Sequence, residues 1–417
     1  MSETGLPLET CDVAIVGGGT AGLALATRLM RHGVGKVVVV ERESQTGGIP
    51  RHCGHFPFGV LEYRRLLKGP AYARRNVAEA LASGVDIRTR TTVTSLLPDA
   101  LVELVAPTGR YRLQARRVVL CTGVRESSRA QRLVGGDRPE GVLSTGALQS
   151  LVYLKGIRPF HRPVILGSEL VSFSAVQTCA HLGIRPVAMV EEKDRVILRR
   201  MFQPFLVLKG IPLFVGARDP EIVGRRRVEA LTFQDRNGAR RTIETDGIIV
   251  SGRFRPESAL LRSSHLAVDP GTGGPVVDQY GRCSDASYFA AGNLLRPAET
   301  SSYCWHEGVA TADRVAADLE HEVADERRGI PVVCADPAIR FIVPQRIHPD
   351  RRTGGMKSFY IGLDAPVNGA VVASAGDRIV WKRKLRSRPV RRIELPFDGI
   401  DDPGPVPELR FTIEGNS

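Results

Sequence analysis

The feature that most constrains this chain is a glycine-rich turn between an apolar strand and a helix near its N-terminus. Residues 12–22, DVAIVGGGTAG, predict a buried strand that stops at Gly17, a turn through Gly19 and a helix that begins near Gly22. In this G-x-G-x-x-G spacing the three glycines make the tight turn, admit a pyrophosphate to the backbone, and let the helix pack on the strand. A second apolar strand follows and ends at Glu41, whose carboxylate suits ribose hydroxyl groups and excludes a 2′-phosphate. The pattern predicts a dinucleotide-binding βαβ unit.

Length and composition indicate an ordinary globular protein of two or three domains. The chain has 417 residues, of which 42% are hydrophobic and 25% charged. We find no signal-peptide pattern in residues 1–10 and no apolar run of about 18 residues, so we expect a cytoplasmic protein without a membrane span. The seven cysteines are scattered, with no C-x-x-C pair. This spacing argues against a disulfide framework, an iron–sulfur cluster or a metal site in the chain.

The net charge of +13 does not by itself predict nucleic-acid binding. Basic residues are spread along the sequence and are densest over residues 382–392, without an aromatic-interleaved basic motif. We therefore expect no nucleic-acid partner and attribute the charge to an anionic cofactor or an acidic protein partner. Residues 382–392 have two interpretations, a strand face exposed to solvent and a patch that docks a partner.

A loop rich in glycine and proline follows Glu41. Residues 46–59 read TGGIPRHCGHFPFG. The glycines allow the backbone to approach a ligand closely, and Arg51 suits a phosphate or an anionic substrate. His52 and His55 are candidates for deprotonating a substrate nitrogen or hydroxyl, because histidine titrates near neutrality. The alternative is a structured surface loop whose histidines are only solvated.

Two later motifs complete the pattern. An apolar strand at residues 117–121 stops at Thr122 and Gly123, and residues 289–293 read FAAGN. Together with the first motif they resemble the two-dinucleotide flavoprotein superfamily, which includes glutathione reductase and the pyridine nucleotide-disulfide oxidoreductases, over roughly residues 10–325. The resemblance implies FAD as the cofactor.

The resemblance implies an α/β fold with two Rossmann-like three-layer domains, the second inserted in the first. Alternating apolar positions after residue 331 add a small antiparallel C-terminal β domain. We expect the FAD domain at 1–155 and 251–328, a degenerate NAD(P)-binding-like domain at 156–250, and the β domain at 329–417.

The residues expected to bind FAD are those that match the motifs of the superfamily. They are Gly17, Gly19, Thr20, Ala21, Gly22, Glu41, Arg42, Gly48, Arg51, Thr122, Gly123, Gly292, Asn293 and Gly308. Members of the superfamily have an aspartate for the ribityl chain where this chain has Asn293, which keeps hydrogen bonding and removes the charge. The following segment is expected to open a helix toward the flavin, with Tyr303, Trp305 and His306 lining the pocket and His306 as a third catalytic candidate.

Two departures narrow the class of enzyme. Cys53 has no partner cysteine nearby in sequence, which disfavours a disulfide reductase. In the inserted domain, Glu169 stands where nicotinamide-binding members of the superfamily have glycine. Ser172 stands where those members have glycine or alanine. Because a carboxylate would repel a pyrophosphate, we expect this domain to have lost its ligand.

The loop after Gly47 looks like that of the FAD subunits of hydrogen cyanide synthase, opine oxidase and heteromeric sarcosine oxidase; similar loops occur in flavoproteins of glycerol-3-phosphate oxidation. This likeness implies a dehydrogenase subunit that transfers a hydride from a small amine, imino acid or hydroxy acid to flavin N5. Electrons would then pass to a partner protein, an iron–sulfur or second flavoprotein subunit. Two alternatives remain, an NAD(P)H-dependent reductase of a small redox protein and a non-enzymatic flavin-binding interaction module.

Overall fold

The computed structural model describes residues 5–197, 203–297, 299–321, 329–348, 355–387, 393–397 and 406–415. The chain forms two compact units. The first comprises Met1–Gly48, Arg75–Val124 and Pro256–Ser417, and the second comprises Ile49–Arg74 and Arg125–Arg255. The second unit thus includes the glycine- and proline-rich loop and begins earlier than residue 156, where the inserted domain was expected to start.

The strands and helices are short and alternate through most of the chain. The strands are β1 (Leu8–Val16), β2 (Val37–Val40), β3 (Asp86–Arg88), β4 (Thr92–Leu97), β5 (Leu101–Ala106), β6 (Gly109–Leu120), β7 (Val124–Arg125), β8 (Gly135–Gly136), β9 (Val142–Ser144), β10 (Val164–Leu166), β11 (Ala188–Glu191), β12 (Leu213–Val215), β13 (Arg218–Val223), β14 (Ala230–Gln234), β15 (Arg240–Glu244), β16 (Ile248–Val250), β17 (Arg255–Pro256), β18 (Tyr288–Ala290), β19 (Ile330–Cys334), β20 (Ile339–Val343), β21 (Arg346–Ile347), β22 (Ser358–Leu363), β23 (Val367–Ala375), β24 (Arg378–Ser387), β25 (Ile393–Pro396) and β26 (Leu409–Glu414). The helices are α1 (Thr20–Arg31), α2 (Val60–Tyr63), α3 (Gly69–Ala82), α4 (Thr145–Gln149), α5 (Leu170–His181), α6 (Gln203–Leu208), α7 (Ala259–Arg262) and α8 (Ser301–His321).

The first unit is built on a seven-stranded sheet in the order β3-β2-β1-β6-β5-β4, with β18 also paired to β6. The strands β3, β2, β1, β6 and β18 run parallel, and β4 and β5 extend the sheet antiparallel. Val37–Val40 is fully buried, as expected for a central parallel strand covered on both faces. Helices α1 and α8 pack against each other beside this sheet, within one apolar cluster.

The second unit contains a five-stranded parallel sheet in the order β12-β11-β10-β16-β9. A four-stranded sheet in the order β15-β14-β13-β8 accompanies it, and its β13, β14 and β15 are antiparallel. Strand β9 lies at residues 142–144 and pairs with β16, which explains why the unit begins before residue 156. Both units therefore carry an α/β sheet with a set of parallel strands, as the sequence predicts.

The C-terminal β domain forms two sheets around its own apolar core, one in the order β21-β19-β26-β23-β24 and one in the order β20-β22-β25. Most pairs are antiparallel, but β19 and β26 run parallel, which the alternating pattern did not predict. The basic stretch Lys382–Arg386 lies on the edge strand β24 with exposed charged side chains, and Lys382 pairs with Glu414. Charged side chains are common on edge strands, where they discourage pairing with another sheet. The rest of the run, 388–392, lies outside the described residues.

Helix α8 begins at Ser301, within the segment after Asn293 that was expected to open a helix. No helix among the described residues has both the length and the apolar character that a membrane span needs.

Candidate functional site

The glycine turn after β1 has the close contacts that its spacing predicts. Gly17 has a φ of +110°, and a Cβ on it would lie 2.5 Å from the carbonyl oxygen of Cys121. A Cβ on Gly22 would lie 2.1 Å from the carbonyl oxygen of Gly17. These two positions therefore admit only glycine, because the adjacent backbones of β1, β6 and α1 fill the space.

Gly19 differs from these two glycines. It is the N-cap of the 12-residue helix α1, and no atom lies within 4 Å of the point that its Cβ would occupy. Gly48 closes one side, since a Cβ on it would lie 2.8 Å from Gly19 Cα. The buried Thr20 and Ala21 begin the helix. The structure thus leaves open space at a helix N-terminus, where backbone N–H groups favour a phosphate.

Glu41 is held rigidly at the end of β2. Its side chain is buried, its Oε2 accepts a hydrogen bond from Gly18 N at 3.1 Å, and its Oε1 accepts one from Glu43 N at 2.9 Å. A fixed carboxylate beside an open helix N-terminus fits the ribose and pyrophosphate of a dinucleotide. Arg42 is exposed next to it.

The end of β6 contributes a second open edge. Gly123 has a φ of +73°, and the space around its absent Cβ is empty to 4 Å. The hydroxyl of Thr122 donates to Glu257 O at 2.9 Å, and Glu257 N donates to Gly123 O at 2.9 Å. The turn is therefore fixed by Glu257 and has room for a ligand beside Gly123.

Gly292 and Gly308 serve helix packing around Ala21. A Cβ on Gly292 would lie 2.8 Å from the Ala21 Cβ, and one on Gly308 would lie 2.3 Å from Ala21 O. Gly308 brings the N-terminal halves of α1 and α8 into backbone contact, and Gly292, with a φ of +76°, brings the 3₁₀ turn Gly292–Leu294 against the Ala21 side chain. Gly308 acts here through packing, and its contact with FAD stays a prediction.

Asn293 uses both ends of its amide within the protein. Its Nδ2 donates to Glu299 O at 3.2 Å, and its Oδ1 accepts from Glu299 N at 2.8 Å. Gly292 N donates to Glu307 Oε2 at 2.8 Å. The asparagine therefore fixes the turn before α8, and its contact with the ribityl chain stays a prediction.

The candidate catalytic side chains are divided between the two units. Arg51 and His52 lie on a 3₁₀ turn, Ile49–His52, of the second unit. His55 follows in the same loop, with Nδ1 at 3.0 Å from Phe56 O and its ring 5.4 Å from that of Phe58. His306 is exposed on α8 in the first unit. Their roles in catalysis stay predictions.

One cysteine, Cys53, lies in the loop that was expected to carry the catalytic side chains. Cys53 is buried and its Sγ donates to Ile49 O at 3.4 Å. Burial, together with the nearby Glu126, raises the pKa of the Cys53 thiol to about 12. All seven cysteines are unpaired thiols. Since the thiolate is the reactive form, this shift disfavours reaction of Cys53 at neutral pH. Among the described residues, no group of three or more His, Cys, Asp or Glu side chains could hold a metal ion.

The second unit repeats the local geometry of the first nucleotide turn. Gly167 has a φ of +117°, and a Cβ on it would lie 2.5 Å from Ser251 O, as for Gly17 and Cys121. Glu191 ends β11 and accepts from the Ser168 hydroxyl at 2.5 Å and from Lys193 N at 2.9 Å. Glu191 is thus the counterpart of Glu41.

The repeat departs from the first turn at Glu169. This residue is the N-cap of α5 with φ −75° and ψ 172°, close to the −80° and −170° of Gly19. Its Oε1 accepts a hydrogen bond from Arg253 N at 2.9 Å. The carboxylate packs against Gly252, since a Cβ on that glycine would lie 2.5 Å from Glu169 Cδ. Burial raises the pKa of this carboxyl. A side chain of the protein thus lies beside the helix N-terminus that would receive a pyrophosphate.

Further ion pairs close the same loop. Arg253 has a φ of +51° and pairs with Glu192 at 2.5 Å, and Glu192 also pairs with the buried Arg132 at 3.0 Å. Arg132 donates to the carbonyl oxygens of Leu166 and Ser251, at the ends of β10 and β16. The sequence did not predict this role for Arg132, because no motif signals an arginine that is distant in sequence from the loop it bonds.

The role of Glu126 was not predicted either. Its Oε2 accepts from Gly146 N at 2.8 Å and its Oε1 from Gly252 N at 3.0 Å, and burial raises its pKa. It fixes the Gly252 turn on which the Glu169 carboxylate lies. A single acidic residue after a strand gives no sequence signal for this role.

The sequence profile of pyridine nucleotide-disulphide oxidoreductases matches residues 11–312. One of the opine oxidase subunits of Rhizobium meliloti (strain 1021) is 24% identical over 62% of this chain and 56% of that protein. One of the alkyl hydroperoxide reductase subunits of Xanthomonas campestris pv. phaseoli is 26% identical over 68% and 52%. The alpha chain of sarcosine oxidase from Rhizobium meliloti (strain 1021) is 26% identical over 74% and 31%. The chain spans about half or less of the length of these curated relatives.

Among solved structures, thioredoxin reductase of T. acidophilum superposes with a TM-score of 0.62 at 22% identity, over 74% of this chain and 98% of that protein. This likeness confirms the expected α/β fold for the part of the chain that the superposition covers.

Proposed function

This chain belongs to the pyridine nucleotide-disulphide oxidoreductase family, and we propose that it is the FAD-dependent dehydrogenase component of an enzyme with more than one subunit. Members of the family are FAD flavoproteins, and the open helix N-terminus at Gly19 with the fixed carboxylate of Glu41 fits that cofactor. The observation that carries the proposal is the closed second nucleotide loop, where Glu169 bonds to Arg253 N.

The closed loop argues that electrons do not enter from NADH or NADPH. A pyrophosphate at the α5 N-terminus would have to displace the Glu169 carboxylate and break the Arg253–Glu192 pair. Micromolar binding provides about 8 kcal/mol, and separating a buried carboxylate from its hydrogen bonds while bringing a like charge close costs several kcal/mol. We therefore propose that the electrons come from a substrate C–H bond.

The burial of Cys53, its raised pKa and its lack of a partner cysteine argue against a dithiol route for the electrons to leave. In this proposal the electrons therefore leave the flavin to a partner protein. The relatives named as subunits of opine oxidase and sarcosine oxidase support such a partner, as the sequence pattern predicts. The nature of that partner, iron–sulfur or flavin, and a cytoplasmic location stay predictions.

FAD, when bound, supplies the acceptor of the hydride. The protein's part in this proposal is to orient a small amine, imino acid or hydroxy acid and to accept its proton. Arg51 pairs with the substrate carboxylate, and His52 or His55 accepts the proton from nitrogen or oxygen, because histidine titrates near neutrality. His306 is the third candidate for the proton acceptor.

The test is an anaerobic reduction of the purified flavoprotein. We expect the flavin to stay oxidised with NADH or NADPH and to bleach with a member of a panel of amino, imino and hydroxy acids. A sodium dithionite control shows that the flavin is reducible. Rapid stoichiometric bleaching by NADH would refute the proposal and establish the reductase alternative.

Two observations favour that alternative, an NAD(P)H-dependent reductase of a small redox protein. Glu191 keeps the hydrogen bonds of a ribose-binding acid, and one of the alkyl hydroperoxide reductase subunits is among the relatives. The variant Glu169→Gly separates the two hypotheses, since NADH reduction in the variant alone would identify Glu169 as the residue that closes the loop. A purely non-enzymatic flavin-binding module receives no support from the family, whose members are oxidoreductases.

A further inference from the structure

The turn between β18 and α8 contains a buried arginine that no motif predicts. Arg296 follows the 3₁₀ turn Gly292–Leu294, and its side chain is only 4% exposed. Its Nε donates to Glu299 Oε1 at 3.2 Å and its Nη1 to Glu307 Oε1 at 2.8 Å. Burial opposes the charge of Arg296, but the two carboxylates outweigh it and raise the pKa, so the guanidinium stays charged.

Glu307 links this arginine to the turn expected to bind the flavin. While its Oε1 accepts from Arg296, its Oε2 accepts from Gly292 N at 2.8 Å. The position of Arg296 is thus transmitted through one carboxylate to the Gly292 backbone. Gly292 has no side chain and joins this series of contacts through its N–H group. The position of the Gly292 backbone therefore depends on the Glu307 carboxylate.

The other face of the guanidinium is covered by the C-terminal β domain. Tyr360 on β22 lies with its ring centroid 4.1 Å from Arg296 Cζ, a cation–π contact. Its neighbour Phe359 faces the opposite way, into the core of the β domain. Tyr360 is therefore the residue of β22 through which that domain reaches Arg296.

The apolar packing supports the same junction. Leu294 and Leu295 are fully buried and share one cluster with Phe341 and Val343 of β20, and Tyr360 packs against this cluster. The turn 292–296 is thus enclosed by the β domain on its apolar and its charged sides.

We propose that the C-terminal β domain positions the flavin-binding turn, with Tyr360 and Arg296 as positioning residues that act through Glu307 on Gly292. The inference rests on FAD as the cofactor, and not on which substrate is oxidised. It gives the β domain, which lies beyond the residues matched by the family profile, a role at the cofactor site.

The test compares Tyr360→Leu, which removes the aromatic face, with the matched control Tyr360→Phe, which keeps it. We expect Tyr360→Leu to raise the dissociation constant of FAD about fivefold and to shift the midpoint potential of the flavin, and Tyr360→Phe to match the wild type in both. The apoprotein is titrated with FAD by fluorescence, and the melting temperature of each apoprotein is measured in parallel.

An unchanged FAD affinity and midpoint potential in Tyr360→Leu would overturn the inference, even if the apoprotein melts earlier. If Tyr360→Leu does not fold, Arg296→Lys decides. It keeps the charge but cannot bond both carboxylates in the same geometry, so we expect weaker FAD binding, and a wild-type affinity would overturn the inference. Absence of FAD from the wild type would refute the cofactor assignment, whereas bleaching by NADH would refute only the proposed function.

Discussion

Replacement of Gly19 by alanine separates the fold from cofactor binding. No protein atom lies within 4 Å of the new methyl group, and the N-cap backbone has a negative φ that alanine adopts without strain. The second unit provides a natural control, since Glu169 has nearly the same backbone angles at the corresponding N-cap. Since glycine is preferred to alanine at an N-cap but alanine loses less entropy on folding, we expect the unfolding free energy of the apoprotein to change by less than about 1 kcal/mol.

The cost appears only when a dinucleotide binds. A methyl group at Gly19 projects into the open space at the N-terminus of α1 and moves a pyrophosphate away from the backbone N–H groups. Losing one charge-assisted hydrogen bond costs about 2–3 kcal/mol, so FAD should bind roughly 30- to 150-fold more weakly.

The assay measures FAD affinity by fluorescence titration of the apoprotein, with chemical denaturation of the same preparation. Gly22→Ala is the matched contrast, because its Cβ would lie 2.1 Å from Gly17 O and the helix must move. We expect Gly22→Ala to lower the stability of the apoprotein by several kcal/mol. Wild-type FAD affinity in Gly19→Ala would refute the placement of the pyrophosphate at this helix N-terminus. A large loss of apoprotein stability in Gly19→Ala would show that the space beside Gly19 is filled by the protein, and would refute its interpretation as a ligand site.

Two further predictions concern titratable groups. Burial raises the pKa of the Cys53 thiol to about 12, so the reactive thiolate is scarce at pH 7 and iodoacetamide should label Cys53 only after unfolding. Peptide mass spectrometry of native and unfolded protein checks this, and rapid labelling of the native protein would contradict it. Burial opposes the charge of Asp278, but His348 and Arg282 outweigh it and lower the pKa of this carboxyl below its usual range. Its ionised form therefore contributes stability above the unfolded pKa that is lost as the pH falls through the folded pKa. Asp278→Asn should cost about 2–4 kcal/mol at pH 7, and the difference from wild type should shrink below about pH 4; a difference independent of pH would contradict this.

The glycine turns could be predicted because the spacing of their glycines forms a short motif in the sequence. Gly17 and Gly22 leave no room for a side chain, and Glu41 ends a strand whose apolar run fixes its place in the sheet. The motif marks these residues in the sequence, although the neighbour that excludes a side chain at Gly17 is Cys121, which follows the later strand β6. The replacement of glycine by Glu169 was also predictable, since the spacing of the repeat gives its position.

The long-range contacts around the second nucleotide loop and around Arg296 could not be predicted. Arg132 and Glu126 reach the second loop from distant parts of the chain, and Tyr360 reaches Arg296 from another domain. Nothing in the local sequence marks such contacts, because folding of the whole chain brings them together. Asn293 shows the same limit, since its amide bonds to Glu299 in a turn that the motif does not specify.

The sequence by itself determined the family, the two α/β sheets, the first nucleotide turn and the acid that ends its second strand, because each depends on short-range spacing and backbone sterics. Only the tertiary structure decided that the Glu169 carboxylate is bonded to Arg253 N, that Cys53 is buried, and that the C-terminal β domain covers Arg296. Burial and hydrogen-bond partners depend on contacts between residues far apart in the chain, and those contacts set the charge and reactivity of each group.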